Sequence, residues 1–122
     1  MSAVLMYATT PSREEALRIG RSLVENRLAA CINVLDGMES VYWWEGRVEK
    51  ARECVLIVKT REDQAAEAAS RVRSLHPYAC PCLVYWPITG GNADFLAWIE
   101  RESDPALRSD EIPFSEPEAG DQ

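Results

Sequence analysis

Residues 29–60 restrict the possible folds of this chain more than any other stretch. AACINVLDGMESVYWW runs to Trp44, Glu45-Gly46 supplies a turn, and Arg47 to Thr60 returns as a second long strand ending in CVLIVKT. The break at Asp36-Gly37 predicts a bulge or bend in the outgoing strand. A hairpin this long exceeds the usual strand of about five or six residues. Its tip therefore extends past its own sheet. That leaves unpaired edges and three aromatics, Tyr42, Trp43 and Trp44, with nothing to pack on in a monomer. Exposed edges and large apolar patches take partners, so the hairpin predicts oligomerisation.

The segments on either side supply the rest of a sheet and its cover. AVLMYA, residues 3–8, is a continuous apolar run of strand length, as a central strand requires. Ser12 and Glu15 form a capping box ahead of Ala16, Ile19, Gly20, Leu23 and Val24, which recur at helical spacing. Thr60 to Asp63 opens a second helix whose apolar face is small: Ala65, Ala68, Ala69, Val72 and Leu75. Pro77 disfavours helical geometry at His76, so that helix stops by Leu75. Cys82 to Trp86 reads as a further strand, and Asn92 caps a short final helix carrying Phe95, Leu96 and Ile99. The order is strand, helix, strand, strand, helix, strand, helix. It predicts an α+β, ferredoxin-like β-α-β-β-α-β sandwich with a long β-hairpin and an added C-terminal helix.

Charge divides the chain unevenly. The net charge is −7, and residues 104–122 hold six acids against one base, with Pro105, Pro113 and Pro117 among them. We therefore expect one domain over residues 1–103 and an acidic, poorly ordered tail over 104–122. No basic stripe is present, which argues against a nucleic-acid partner. No apolar run approaches the roughly 20 residues of a membrane helix, which argues against a membrane partner. MSAVLMYATT has no basic residue ahead of its apolar stretch, so no signal peptide is expected and the cytoplasm is the expected compartment. Reduced thiols follow, and the four cysteines become buried residues or metal ligands rather than a disulfide framework.

Several stretches, in order, resemble the CutA family of divalent-cation tolerance proteins: RLAACIN (27–33), SVYWWEG (40–46), CVLIVKT (54–60), HPYACP (76–81) and PITGGNADFLAWI (87–99). The resemblance implies a homotrimer of ferredoxin-like subunits, similar in shape to PII signalling proteins, with the hairpin reaching a neighbour. It also implies a role in metal tolerance, with copper or another divalent cation as ligand and none required for folding. Where the family pattern places glutamates after the histidine, this chain has Ala79 and Cys82.

Candidate ligands follow from residue chemistry and the resemblance together. Thiolate and imidazole suit copper or zinc better than magnesium or calcium, which selects Cys31, His76 and Cys82 as the candidate metal set. The alternative is that free cysteines pack as small hydrophobes, the reading preferred for Cys54 and Cys80. A ligand cleft is expected from Lys59, Tyr42, Trp44, Glu45, Tyr78 and Trp98. Aromatics also anchor interfaces, a lysine at a strand mouth also snorkels, and a turn glutamate is most simply solvated. With one histidine and no nucleophile–base–acid set, no enzyme is expected. The leading reading is a trimeric metal-responsive binding protein with an inter-subunit cleft. A PII-like sensor of a small anion and a structural trimeric scaffold are the alternatives.

Overall fold

The computed structural model describes residues 2–115. Four strands, β1 (Ala3–Thr10), β2 (Cys31–Trp44), β3 (Arg47–Arg61) and β4 (Leu83–Pro87), form one sheet in the order β2-β3-β1-β4. Every neighbouring pair is antiparallel. Helices α1 (Arg13–Glu25), α2 (Ala65–Leu75) and α3 (Ala93–Glu102) complete a mixed α+β fold.

Alternation along β1 and β3 decides what each face of the sheet does. Met6, Ala8, Cys54, Leu56 and Val58 point to one side and are fully buried beneath α1, through Ala16, Ile19 and Leu23, and α2, through Ala68 and Val72. The other side carries Leu5, Tyr7, Ile57 and Lys59, none of them fully buried, and exposed Leu35, Val84 and Trp86. We call this second side the open face.

Local chemistry places the helices. Ser12 caps α1, its hydroxyl accepting from the Glu15 amide at 3.2 Å. The expected return contact from Glu15 is absent, because its carboxylate is taken by Arg18 at 2.6 Å. Arg18 also donates to the Leu75 carbonyl at 2.6 Å, satisfying one of the orphan acceptors at the end of α2. Gly20 is where α1 lies closest to the sheet. A Cβ there would stand 2.8 Å from Ile32 Cδ1 and 3.0 Å from Leu56 Cδ1. After α1, Arg27 adopts a left-handed φ of 57°, and the chain reaches β2 with the Leu28 carbonyl held by the Thr60 hydroxyl at 2.7 Å. The helix thus ends at Glu25, with Asn26 as its C-cap.

At the far end of β3, Arg61 clamps the last helix. Its guanidinium forks onto Asp63 at 2.9 and 3.0 Å and reaches Asp104 at 3.5 Å, while its amide donates to the Ser103 hydroxyl. The hydrogen bond from Arg61, with its charge, holds the Asp63 carboxyl below its ordinary 3.8. Part of the stretch that follows α3 lies against the C-terminal half of α1. Arg108 donates to the Asn26 carbonyl at 2.9 Å, and Arg21 stands 5.0 Å from the centre of the Phe114 ring. The remainder of the acidic tail lies outside the described residues.

Two outcomes follow. Gly20→Ala should destabilise the protein by about 1–2 kcal/mol, an overpacking cost that outweighs the helix-propensity gain of roughly 1 kcal/mol. Urea unfolding at one fixed protein concentration measures it, and an unchanged midpoint would contradict the close approach. The Arg61–Asp63 pair stabilises only while Asp63 is ionised. Its contribution is complete above the unfolded value near 3.8 and is lost as pH falls through the lower folded value. Asp63→Asn should therefore flatten the acid limb of a stability–pH profile below that point, leaving its shape near neutrality unchanged.

Candidate functional site

The hairpin carries the site, and its shape depends on one irregularity. Leu35 opposes Val55 but Met38 opposes Glu53, so Asp36 and Gly37 together face the single residue Cys54. Gly37 has φ of 80°, and its amide donates to the Asp36 side chain at 2.7 Å. Strand side chains alternate, so one inserted residue moves everything beyond it to the opposite face. Met38, Ser40, Tyr42 and Trp44 consequently join Leu5, Tyr7 and Ile57 on the open face, and Trp43 turns to the other side. The Tyr7 hydroxyl donating to Met38 Sδ at 3.4 Å is direct evidence of that alignment.

Beyond the bulge the hairpin loses its third strand. β1 pairs with β3 only as far as Thr10 opposite Cys54, so residues 38–44 and 47–53 form a bare two-stranded ribbon. Glu45 and Gly46 close it with φ of 50° and 78°, the left-handed pair that matches strand twist in a two-residue turn. On the ribbon Trp43 is 74% exposed and Val41 68%, with Trp44 and Val48 more than half exposed.

At the root of the ribbon three polar groups gather on the open face. Burial pushes the Tyr78 phenol up, and the neighbouring Glu53 carboxylate and Tyr42 push it further, so the phenol stays a hydrogen-bond donor. Tyr78 is placed there by His76, which is buried. The His76 Nδ1 accepts from the Tyr78 amide at 3.1 Å, which leaves Nε2–H to donate to the Thr9 carbonyl at 2.7 Å. Both ring nitrogens are thereby occupied, and the imidazole ties the turn after α2 to the end of β1.

The structure separates the residues selected from the sequence into groups. Tyr42 and Tyr78 come together, joined by Tyr7, Met38 and Glu53, which the sequence reading did not single out. Strand parity across the bulge was the signal that could have found them. Lys59 lies elsewhere: its Nζ donates to Asn33 Oδ1 at 2.7 Å and stands 5.5 Å from the Phe95 ring, which in turn stacks on Trp98. Trp44 and Glu45 are at the tip, twelve residues along β3 from Lys59, on the order of 40 Å away. Within one chain these six residues do not line one cleft.

The soft ligands are also apart. Cys31 opposes Lys59, which opposes Leu5, which opposes Trp86, while Cys82 accepts from the Thr9 amide through its carbonyl. Both cysteines face the open side, at opposite edges of the sheet, three strand spacings and four residues apart, or on the order of 20 Å. Among the described residues no three histidine, cysteine, aspartate or glutamate side chains converge as a metal cluster. Cys54 is buried as expected, and its burial raises the thiol's pKa. Cys80, expected to be buried, is exposed, because Pro81 carries the chain along the rim before β4 begins.

A four-stranded antiparallel sheet, an overlong bulged hairpin and three helices define a chain of the mixed α+β class. The sequence profile of the family described as CutA1 divalent ion tolerance protein matches residues 4–102, and this chain belongs to that family. It is 45% identical over 95 residues to the divalent-cation tolerance protein CutA of Archaeoglobus fulgidus, covering 78% of this chain and 92% of that protein. It is 42% identical over 99 residues to its Thermus thermophilus counterpart, covering 81% and 96%. Among solved structures, CutA of Xylella fastidiosa superposes with a TM-score of 0.82 at 36% identity, over 85% of this chain and all of that one. The Archaeoglobus fulgidus protein, described there as periplasmic, superposes at 0.80 with 42% identity, over 84% and 99%. No helix among the described residues is long and apolar enough to cross a membrane.

His76→Ala should cost about 1–3 kcal/mol, since it orphans the Thr9 carbonyl and the Tyr78 amide at once. It should also move the Tyr78 phenol titration, followed by ultraviolet absorbance, towards its ordinary value. A variant with wild-type stability and an unmoved Tyr78 would contradict the assigned roles of both ring nitrogens.

Proposed function

We propose that the chain acts as a ferredoxin-like, PII-shaped homotrimer in the cytoplasm, handling divalent cations, copper foremost, in clefts between subunits. One observation carries this reading: the bare ribbon with its exposed aromatics. A two-stranded ribbon is marginal in water by itself. Here it displays apolar surface on both faces, Tyr42 and Trp44 on one and Trp43 on the other. A second and a third copy of the chain would cover it. Each tip, with Trp44 and Glu45, would then lie against residues its own subunit cannot reach, such as Lys59, Trp98 and Tyr78.

The same assembly bears on the metal set. Cys31 and Cys82 occupy opposite edges of the same face, so only a neighbouring copy can bring one to the other. His76 contributes by fixing the turn that carries Tyr78 and Cys82, and its occupied nitrogens make it a positioning residue in this proposal.

Mass measurement in solution tests the assembly. The wild-type chain should appear at three times 13.7 kDa, and the Trp43→Ser/Trp44→Ser double variant should shift towards the monomer. Copper(II) titration of the two proteins should show saturable binding that weakens with dissociation. A wild-type monomer, or copper(II) binding unaffected by dissociation, would contradict the inter-subunit cleft.

A further inference from the structure

Cys80 and Cys82 are both exposed, neither is in a disulfide, and they are separated only by Pro81. From their placement we infer that they form a two-coordinate thiolate site for monovalent copper, complete within one chain. The inference deepens the metal-handling reading by naming the oxidation state and the ligands, and it can fail independently of that reading.

The argument begins with reach. Two Cα atoms flanking one residue lie roughly 5–7 Å apart whatever the local backbone, given 3.8 Å between neighbours. A metal–thiolate bond is about 2.3 Å, so two bonds in line span about 4.6 Å, within the swing of two free side chains. Rigidity comes next. Pro81 fixes its own φ near −65°, and Cys82 is held by the Thr9 amide at 3.3 Å to its carbonyl. Upstream, the turn is tied down by both nitrogens of His76. The pair is thus presented from a short segment anchored at both ends, with less freedom to lose on binding than a mobile loop.

Selectivity follows from the missing third ligand. Among the described residues no further histidine, cysteine or carboxylate completes a cluster of three. His76, the one histidine of the sequence, already spends both nitrogens on backbone groups. Structural zinc takes four ligands and catalytic zinc three, and calcium and magnesium take oxygens. Two thiolates alone suit a soft ion content with low coordination, and copper(I) is the biological one. A cytoplasm that keeps thiols reduced would keep copper in that state as well.

The test is anaerobic titration of the whole reduced protein with copper(I) in competition with a chromophoric chelator, joined to X-ray absorption at the copper edge. One copper per chain with two sulfur neighbours is expected. Cys80→Ser and Cys82→Ser should each weaken binding by more than the roughly ten- to hundredfold that outer-sphere changes cost. Both positions are exposed, so thermal unfolding should be unchanged and loss of fold cannot mimic loss of the site. Cys31→Ser should bind like wild type, and zinc(II) at equal concentration should not displace the copper. Binding lost in Cys31→Ser but kept in Cys80→Ser would overturn this site in favour of the cross-subunit pair. No copper(I) binding by the wild type, or three or more sulfurs per copper, would overturn it outright. In the absence of copper(I) binding, the copper titration of the trimer would still decide the broader reading.

Discussion

The single inserted residue at Asp36-Gly37 is the feature on which the rest of this molecule turns. Upstream of it β2 is an ordinary edge strand, with Ile32 and Val34 packed against the core. Downstream, the same alternation would have placed Trp43 on the open face and Tyr42 and Trp44 on the other. The bulge reverses that assignment and aligns Met38 and Tyr42 with Tyr7 and Tyr78. Gly37 makes this possible at little cost, because its φ of 80° is open to glycine and strained for most other residues. A local backbone choice thus decides which side chains share the root of the ribbon.

The two ends of the fold are built to hold that ribbon steady. Gly20 lets α1 sit close on β2 and β3, and the Arg61 clamp fixes α3 over the end of β3. Between them β3 is paired on both sides from Val55 to Lys59, with β1 alone at Thr60 and Arg61, and with β2 alone from Arg47 to Glu53. One end of the strand is therefore rigid core and the other is projection. An arm with a firm root and a bare tip is suited to reaching another molecule, because its direction is set before contact.

Much of this was legible in the sequence. The hairpin, its Asp36-Gly37 break, its Glu45-Gly46 turn, the Ser12 and Asn92 caps and the stop before His76-Pro77 all depend on neighbours in the chain. The role of His76 was not legible. Beside Cys80 and Cys82 it resembles a metal ligand, yet its partners are the Thr9 carbonyl and the Tyr78 amide, and the first lies 67 residues away. The gathering of Tyr7, Glu53 and Tyr78 was hidden for a similar reason, since it needs the register of three strands and the parity change at the bulge. Cys80 was misjudged because a cysteine beside a strand usually packs inward, and Pro81 keeps this one on the rim.

The central claim is that the ribbon is covered in the working molecule, and amide hydrogen exchange tests it most directly. Residues 38–44 and 47–53 have only each other as strand partners here, and an uncovered two-stranded ribbon should open readily. Covered by other copies, their amides should exchange nearly as slowly as those of β1 and of β3 from Cys54 to Arg61. Rapid exchange throughout the ribbon, in a protein whose core amides stay protected, would contradict the account.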